Sequence, residues 1–163
     1  MDTPGIFDTK VPAANTEREI AHCIVLTSPG PHDVLLVVRL GQYMWEEHKV
    51  VKKMQTMFGS KARRYMILVF TWKDNLDGME FYDYLKEALK VLQDLVAEFR
   101  DCHCVLNNKA TRAEQEAQRA HLLDMVQRVV MENGGGFYTN QMFQRAEVEI
   151  QKLIHVIQKQ SRD

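Results

Sequence analysis

Residues 65–76 read YMILVFTWKDNL. The run from Tyr65 to Thr71 is continuously apolar rather than alternating, which predicts a strand covered on both faces, as in the interior of a parallel sheet. It breaks directly into a short polar turn that carries a single lysine, Lys73. In open α/β sheets, ligands sit beyond the carboxyl ends of the strands, so this turn is a candidate ligand loop. A lysine stem can lie along a purine face. A carboxylate shortly after it can accept two hydrogen bonds from the donor edge of guanine.

Working outward, DVLLVVRL at 33–40 and CHCVL at 102–106 read as two further buried strands. Helical patterns lie around and between them. Residues 14–28 form one, closed by SPGPH. Residues 46–58 place Val50, Val51, Met54, Met57 and Phe58 on one face, and Gly59 stops that helix. Residues 80–100 repeat the period through Leu85, Ala88, Leu89, Leu92, Leu95, Val96 and Phe99. Residues 112–132 continue it and end at Gly134-Gly135-Gly136. A last helix, about 138–160, carries Phe143, Ile150, Leu153, Ile154 and Ile157 as a stripe expected to pack on the body of the protein. Strands alternating with helices of this length predict an α/β fold with three parallel strands and flanking helices. The expected division is a sheet domain over 1–136 and an amphipathic helical extension over 137–163.

The totals exclude several function classes. A net charge of -1 over 163 residues offers no basic field for nucleic acid. Three cysteines, Cys23, Cys102 and Cys104, do not make a disulfide framework. No apolar run is long enough for a transmembrane helix, so the expected location is cytoplasmic, with peripheral attachment to intracellular membranes through a partner or an amphipathic tail left open. Cys102-His103-Cys104 does not read as a metal site, because alternate strand residues point to opposite faces and no second ligand pair has suitable spacing. His48 and His121 read as solvated helix positions. Lys61, Arg63 and Arg64 read as a solvated basic loop.

Three short motifs carry the chemistry. Asp2-Thr-Pro-Gly5 is an Asp-x-x-Gly string, which phosphate-cleaving switch proteins use to sense a terminal phosphate through a Mg²⁺ shell and a glycine N–H. In FTWKDNL the selecting position after Lys73 is Asn75, unless a one-residue slip brings in Asp74. An amide in place of a carboxylate typically loses on the order of 2–3 kcal/mol, roughly fifty-fold in affinity. LNNKAT, 106–111, offers Asn107, Asn108 and a lysine, with Thr111 as an N-cap. Each string alone is a turn. Together they fall at the carboxyl ends of successive strand regions.

Between these motifs, Pro29-Gly30-Pro31-His32, Phe58-Gly59 and Arg64-Tyr65-Met66-Ile67 closely resemble the immunity-associated GTPases, the GIMAP family with its AIG-type G domain. The resemblance covers essentially the whole chain. It implies a partial P-loop-NTPase-type G domain that binds GTP and GDP with Mg. Asp2 and Gly5 would be the switch motif, with Asp2 an indirect Mg ligand. Lys73 and Asn75 would be the base-reading loop, and Asn107 and Asn108 the last base contact. It also implies association among family members, some of them tethered to intracellular membranes in lymphocytes. The chain departs from the family at three places. No G-x-x-x-x-G-K-[ST] phosphate loop occurs in the sequence. The family's Gly-Arg-Tyr/Phe-Thr box reads Gly41-Gln42-Tyr43-Met44, so no arginine finger stands there. Asn75 replaces the selecting acid. The expectation is a truncated G domain with weak or absent nucleotide binding, no catalytic residues and no hydrolysis by this chain alone. The alternatives are a non-catalytic module that docks on full-length relatives, and an incomplete product of a full GTPase gene. Loss of the neighbouring strand would leave 33–40 at the sheet edge.

Overall fold

The computed structural model describes residues 13–41, 43–99 and 101–162. Asp2, Gly5 and Gln42 lie outside the described residues. The elements are α1 (Ala13–Thr27), β1 (Val34–Arg39), α2 (Trp45–Phe58), β2 (Met66–Thr71), α3 (Phe81–Glu87), α4 (Lys90–Glu98), β3 (His103–Val105), α5 (Arg112–Glu132) and α6 (Gln141–Gln160), with 3-10 turns at Ser60–Tyr65 and Lys73–Leu76. This is the α/β class expected, with three parallel strands flanked by helices and a further helix at the carboxyl end. The chain forms two compact units. One is Asp33–Gly136; the other joins residues up to His32 with Phe137 onward.

In the sheet unit the strand order is β1-β2-β3. Both pairings are parallel, with Leu36 opposite Leu68 and Val69 opposite Cys104. Every residue of Met66–Phe70 is buried, which is why that run lacks alternation. Ile67, Val69 and Cys104 pack against Met125 and Val129 of α5, with Leu122 and Val126 alongside. On the opposite face of β2, the Phe70 ring lies 5.1 Å from Phe81 at the start of α3. Each fully buried aliphatic side chain here contributes roughly 1.5–3 kcal/mol. β1 is covered on one face only: Leu36 and Val38 are buried, whereas Leu35 and Val37 are exposed. Among the described residues it is an outer strand of the sheet.

Gly59 ends α2 at φ 88°, a conformation that favours glycine. Three readings of the sequence need correction. The segment 80–100 is two helices, because Ala88 and Leu89 adopt extended backbone. The Gln93 side chain donates to the carbonyls of Leu85, Lys86 and Ala88 and so satisfies the frayed end of α3. His48 is buried, not solvated, and its Nδ1 lies 2.9 Å from the Tyr43 hydroxyl. Arg63 and Arg64 are braces rather than a solvated cluster. The Arg63 guanidinium stacks 3.9 Å from the Phe99 ring and donates to Glu98 O, while Arg64 bonds Asn133 Oδ1.

In the second unit α1 packs on α6. Ile20, Ile24, Tyr138 and Phe143 are buried. Ser28 Oγ donates to Glu147 Oε2 at 2.8 Å, and Asn140 caps α6 by accepting from Phe143 N–H. A Cβ on Gly30 would fall 1.6 Å from the Tyr138 carbonyl oxygen, so only glycine fits there. Of the apolar stripe on α6, Phe143 is buried, but Leu153, Ile154 and Ile157 stand exposed. The stripe therefore packs at its beginning and not along its length.

Candidate functional site

The carboxyl ends of the three strands are stitched to one another by main-chain bonds. Leu40 N–H donates to Thr71 O at 3.0 Å, Leu106 N–H to Phe70 O at 2.7 Å, and Lys73 N–H to Leu106 O at 3.2 Å. Three polar loops are thereby held at one edge. The turn after β2 begins with Trp72 at φ 62°, a left-handed conformation unusual for a residue with a Cβ. Such a residue persists only where its surroundings hold it, at a cost of about 1–3 kcal/mol. Part of that hold is Arg39 of β1, whose guanidinium carbon stands 4.1 Å from the centre of the Trp72 ring. Leu76, buried at the end of the 3-10 turn, anchors the loop from below.

The side chains between these anchors divide by role. Lys73 is exposed. Asp74 faces the 107–109 loop: its Oδ2 is 3.3 Å from Lys109 Nζ, and its side chain is only 19% exposed. Its Oδ1 is buried and has no hydrogen-bond partner in the protein. A shielded carboxylate oxygen without a donor is unusual, because leaving an acceptor unsatisfied typically costs about 1–3 kcal/mol. Asn75 turns toward β1 instead, and its Nδ2 donates to Leu40 O at 3.2 Å. It packs against Gly41, where a Cβ would fall 3.4 Å from Asn75 Cβ.

The third loop is fixed by local chemistry. Asn107 Oδ1 accepts from Lys109 N–H at 3.0 Å, and Asn107 N–H donates to Gln118 Oε1 at 3.1 Å. The Asn108 carbonyl accepts from Gln115 Nε2 while the residue itself is exposed. Thr111 and Glu114 form a reciprocal capping box that starts α5. Lys73, Asn75, Asn107 and Asn108 are thus on adjoining loops of one edge. The Asp74–Lys109 pair joins those loops, and the Arg39–Trp72 stack shapes their border. The stack had a faint signal in the sequence, an aromatic residue placed directly after a buried strand.

Among the described residues, no group of three or more His, Cys, Asp or Glu side chains could hold a metal ion. The polar side chains gathered at this edge are those of Lys73, Asp74, Asn75, Asn107, Asn108 and Lys109. Among the described residues, no helix is long and apolar enough to cross a membrane.

Three parallel strands flanked by helices, delivering consecutive polar loops to one edge, make this an α/β protein of the kind found in part of a G domain. The family comparison gives the same class a narrower description. The model of the AIG1 family matches residues 1–157, and the chain belongs to that family. It is 37% identical over 141 residues to the human GTPase IMAP family member 8, covering 86% of this chain and 21% of that protein. It is likewise 37% identical over 161 residues to immune-associated nucleotide-binding protein 9 of Arabidopsis thaliana, covering 94% of this chain and 46% of that protein. Immune-associated nucleotide-binding protein 8 of the same plant is 35% identical, with 91% and 44% covered. The chain therefore spans less than half the length of each of these relatives.

Proposed function

We propose that the carboxyl edge of the sheet is the base side of a guanine-nucleotide site. The observation that carries this reading is the buried Asp74 Oδ1 without a partner, beside exposed Lys73. In this reading the Lys73 stem lies along the purine face. Asp74 accepts from the donor edge of the base, Asn75 holds the loop to β1, and Asn107 and Asn108 border the ring. The Asp74 assignment corresponds to the one-residue slip in the loop. Asp2 and Gly5 are assigned to the phosphate and Mg side by their family position. GTP and GDP with Mg are the proposed ligands, and the cytoplasm is the proposed location.

The 163 residues contain no G-x-x-x-x-G-K-[ST] string. The phosphates are where most of the binding energy of a nucleotide is gathered in P-loop folds, through backbone N–H groups and a lysine. The proposed affinity is consequently weak, and this chain is not assigned hydrolysis.

Titration of mant-GDP with Mg²⁺ against the 163-residue chain tests the reading. The expected dissociation constant is weaker than about 10 μM. Asp74→Ala is expected to weaken it further by at least about fivefold, since a charge-assisted bond contributes roughly 1.5–3 kcal/mol. Submicromolar binding, or binding indifferent to both Asp74→Ala and Lys73→Ala, would overturn the assignment.

A further inference from the structure

The loop after β2 is gripped from two sides. On the β1 side, the Arg39 guanidinium carbon stands 4.1 Å from the centre of the Trp72 ring, and the carbonyl of the next residue, Leu40, accepts from Asn75 Nδ2 at 3.2 Å. On the β3 side, the Leu106 carbonyl accepts from Lys73 N–H at 3.2 Å, and Lys109 Nζ lies 3.3 Å from Asp74 Oδ2. Residues 72 and 75 are thus tied to the end of one flanking strand, and 73 and 74 to the end of the other and the loop that follows it.

The Arg39 tie differs from the rest in what it holds. Trp72 has φ 62° and ψ 42°, the left-handed conformation. That conformation is unfavourable for a residue with a Cβ. Trp72 is also where the turn starts: its carbonyl accepts from Asn75 N–H at 2.9 Å, which closes the turn around Lys73 and Asp74. Moving Trp72 to right-handed or extended backbone would re-aim the peptide that carries Lys73 N–H. The bonds of Lys73 and Asn75 would break, and the Asp74 carboxylate would change direction. A planar guanidinium over an indole face suits a cation–π contact, and 4.1 Å is well inside the roughly 6 Å reach of that attraction.

We propose that Arg39 is a positioning residue for the base side of the site. By stacking on Trp72 it holds the left-handed turn and so keeps the Asp74 carboxylate aimed for use. It acts through the loop and not by touching the nucleotide. The ligand in this inference is that of the guanine reading above, on which it rests; the hold on the loop does not depend on that reading. Because the turn is unfavourable by itself, Arg39 sets the fraction of chains in which the loop is ready. Apparent affinity scales with that fraction. Arg39 is an exposed residue, so the expected effect is about two- to fivefold rather than orders of magnitude.

The hold is tested first without nucleotide. The chain has two tryptophans, Trp45 and Trp72. Labelled with 5-fluorotryptophan, it gives two fluorine resonances, which Trp45→Phe assigns. Arg39→Ala should shift the Trp72 resonance and speed hydrogen exchange at the Lys73 and Asn75 amides. The Leu68 amide, bonded to Cys102 O within the sheet, should not change. Titration with mant-GDP and Mg²⁺ then reads the site. Arg39→Ala should bind about two- to fivefold more weakly with unchanged circular dichroism, and Arg39→Lys, which keeps the charge but not the planar stack, should fall between it and the wild type. Trp72→Gly takes the left-handed backbone without steric cost, so it should bind more tightly than Trp72→Ala, which keeps the strain and loses the ring. In the Trp72→Gly background, Arg39→Ala should change nothing. A loss that persists there would mean that the arginine meets the nucleotide directly, and overturns the proposal. A Trp72 resonance and loop amides indifferent to Arg39→Ala overturn it as well, whatever the affinity. Should Arg39→Ala fail to fold, Arg39→Lys and Trp72→Ala carry the same measurements. If the loop responds as expected but the wild-type chain binds no mant-GDP, the guanine reading fails and the arginine's hold on the loop stands.

Discussion

At the scale of single residues, the loop after β2 turns on how two neighbours share its work. Asp74 points its carboxylate at Lys109, and Asn75 gives its amide to the Leu40 carbonyl. The Lys109 partner is well exposed, so that ion pair contributes at most about 1 kcal/mol, and its role is to hold the loops in register. Replacing Asn75 with Asp removes the donor and sets a carboxylate against a carbonyl oxygen. Asn75→Asp is therefore expected to lower stability by about 0.5–1.5 kcal/mol in urea titration and, by loosening the loop, not to strengthen mant-GDP binding. An unchanged urea midpoint would mean that the bond to Leu40 contributes nothing. A markedly tighter affinity would mean that position 75, not Asp74, faces the base. The sequence showed which residues occupy this loop and which strand delivers it. It did not show which of two adjacent polar side chains faces the ligand, because that depends on the left-handed turn at Trp72, and no glycine marks that turn.

At the scale of elements, the junction between β1 and α2 is tied by a buried polar pair. The Tyr43 hydroxyl meets His48 Nδ1 at 2.9 Å, and the Trp45 ring lies 5.4 Å from the imidazole. Burial lowers the His48 pKa, with Lys52 acting in the same direction and Asp94 against it. Burial pushes Tyr43 up to about 12, aided by Glu47. Both groups are therefore held neutral, with the tyrosine donating to the imidazole. A histidine whose folded pKa is depressed contributes stability that is present above about 6.5, its unfolded value, and is lost as pH falls below that toward the folded value. A tyrosine raised to about 12 contributes stability that is present below about 10 and is lost between there and 12. Tyr43→Phe removes the donor that favours neutral imidazole. The His48 pKa, followed by NMR, should rise toward about 6.5, and the acid-side loss of stability should shrink. A His48 pKa that stays put would show that burial alone sets it. Helix 46–58 was legible from its period, but the burial of His48 was not, because its partner lies before the helix. The break at Ala88 and Leu89 was hidden for a similar reason: neither glycine nor proline marks it, and the Gln93 side chain that closes α3 comes from the next helix.

At the scale of the whole molecule, the sheet unit is unevenly finished. β2 is covered on both faces, and α5 covers β3, yet Leu35 and Val37 of β1 stand half in water. Leu153, Val156 and Ile157 on α6 are similarly exposed in the other unit. Exposed apolar area forfeits about 25 cal/mol per Å², against a net stability of only about 5–15 kcal/mol for ordinary domains. The isolated monomer is therefore expected to be worth less than about 5 kcal/mol. Urea unfolding of the chain is expected to show a low midpoint and a transition worth less than about 5 kcal/mol. A cooperative transition worth more than about 5 kcal/mol would show that the exposed apolar side chains cost the monomer little.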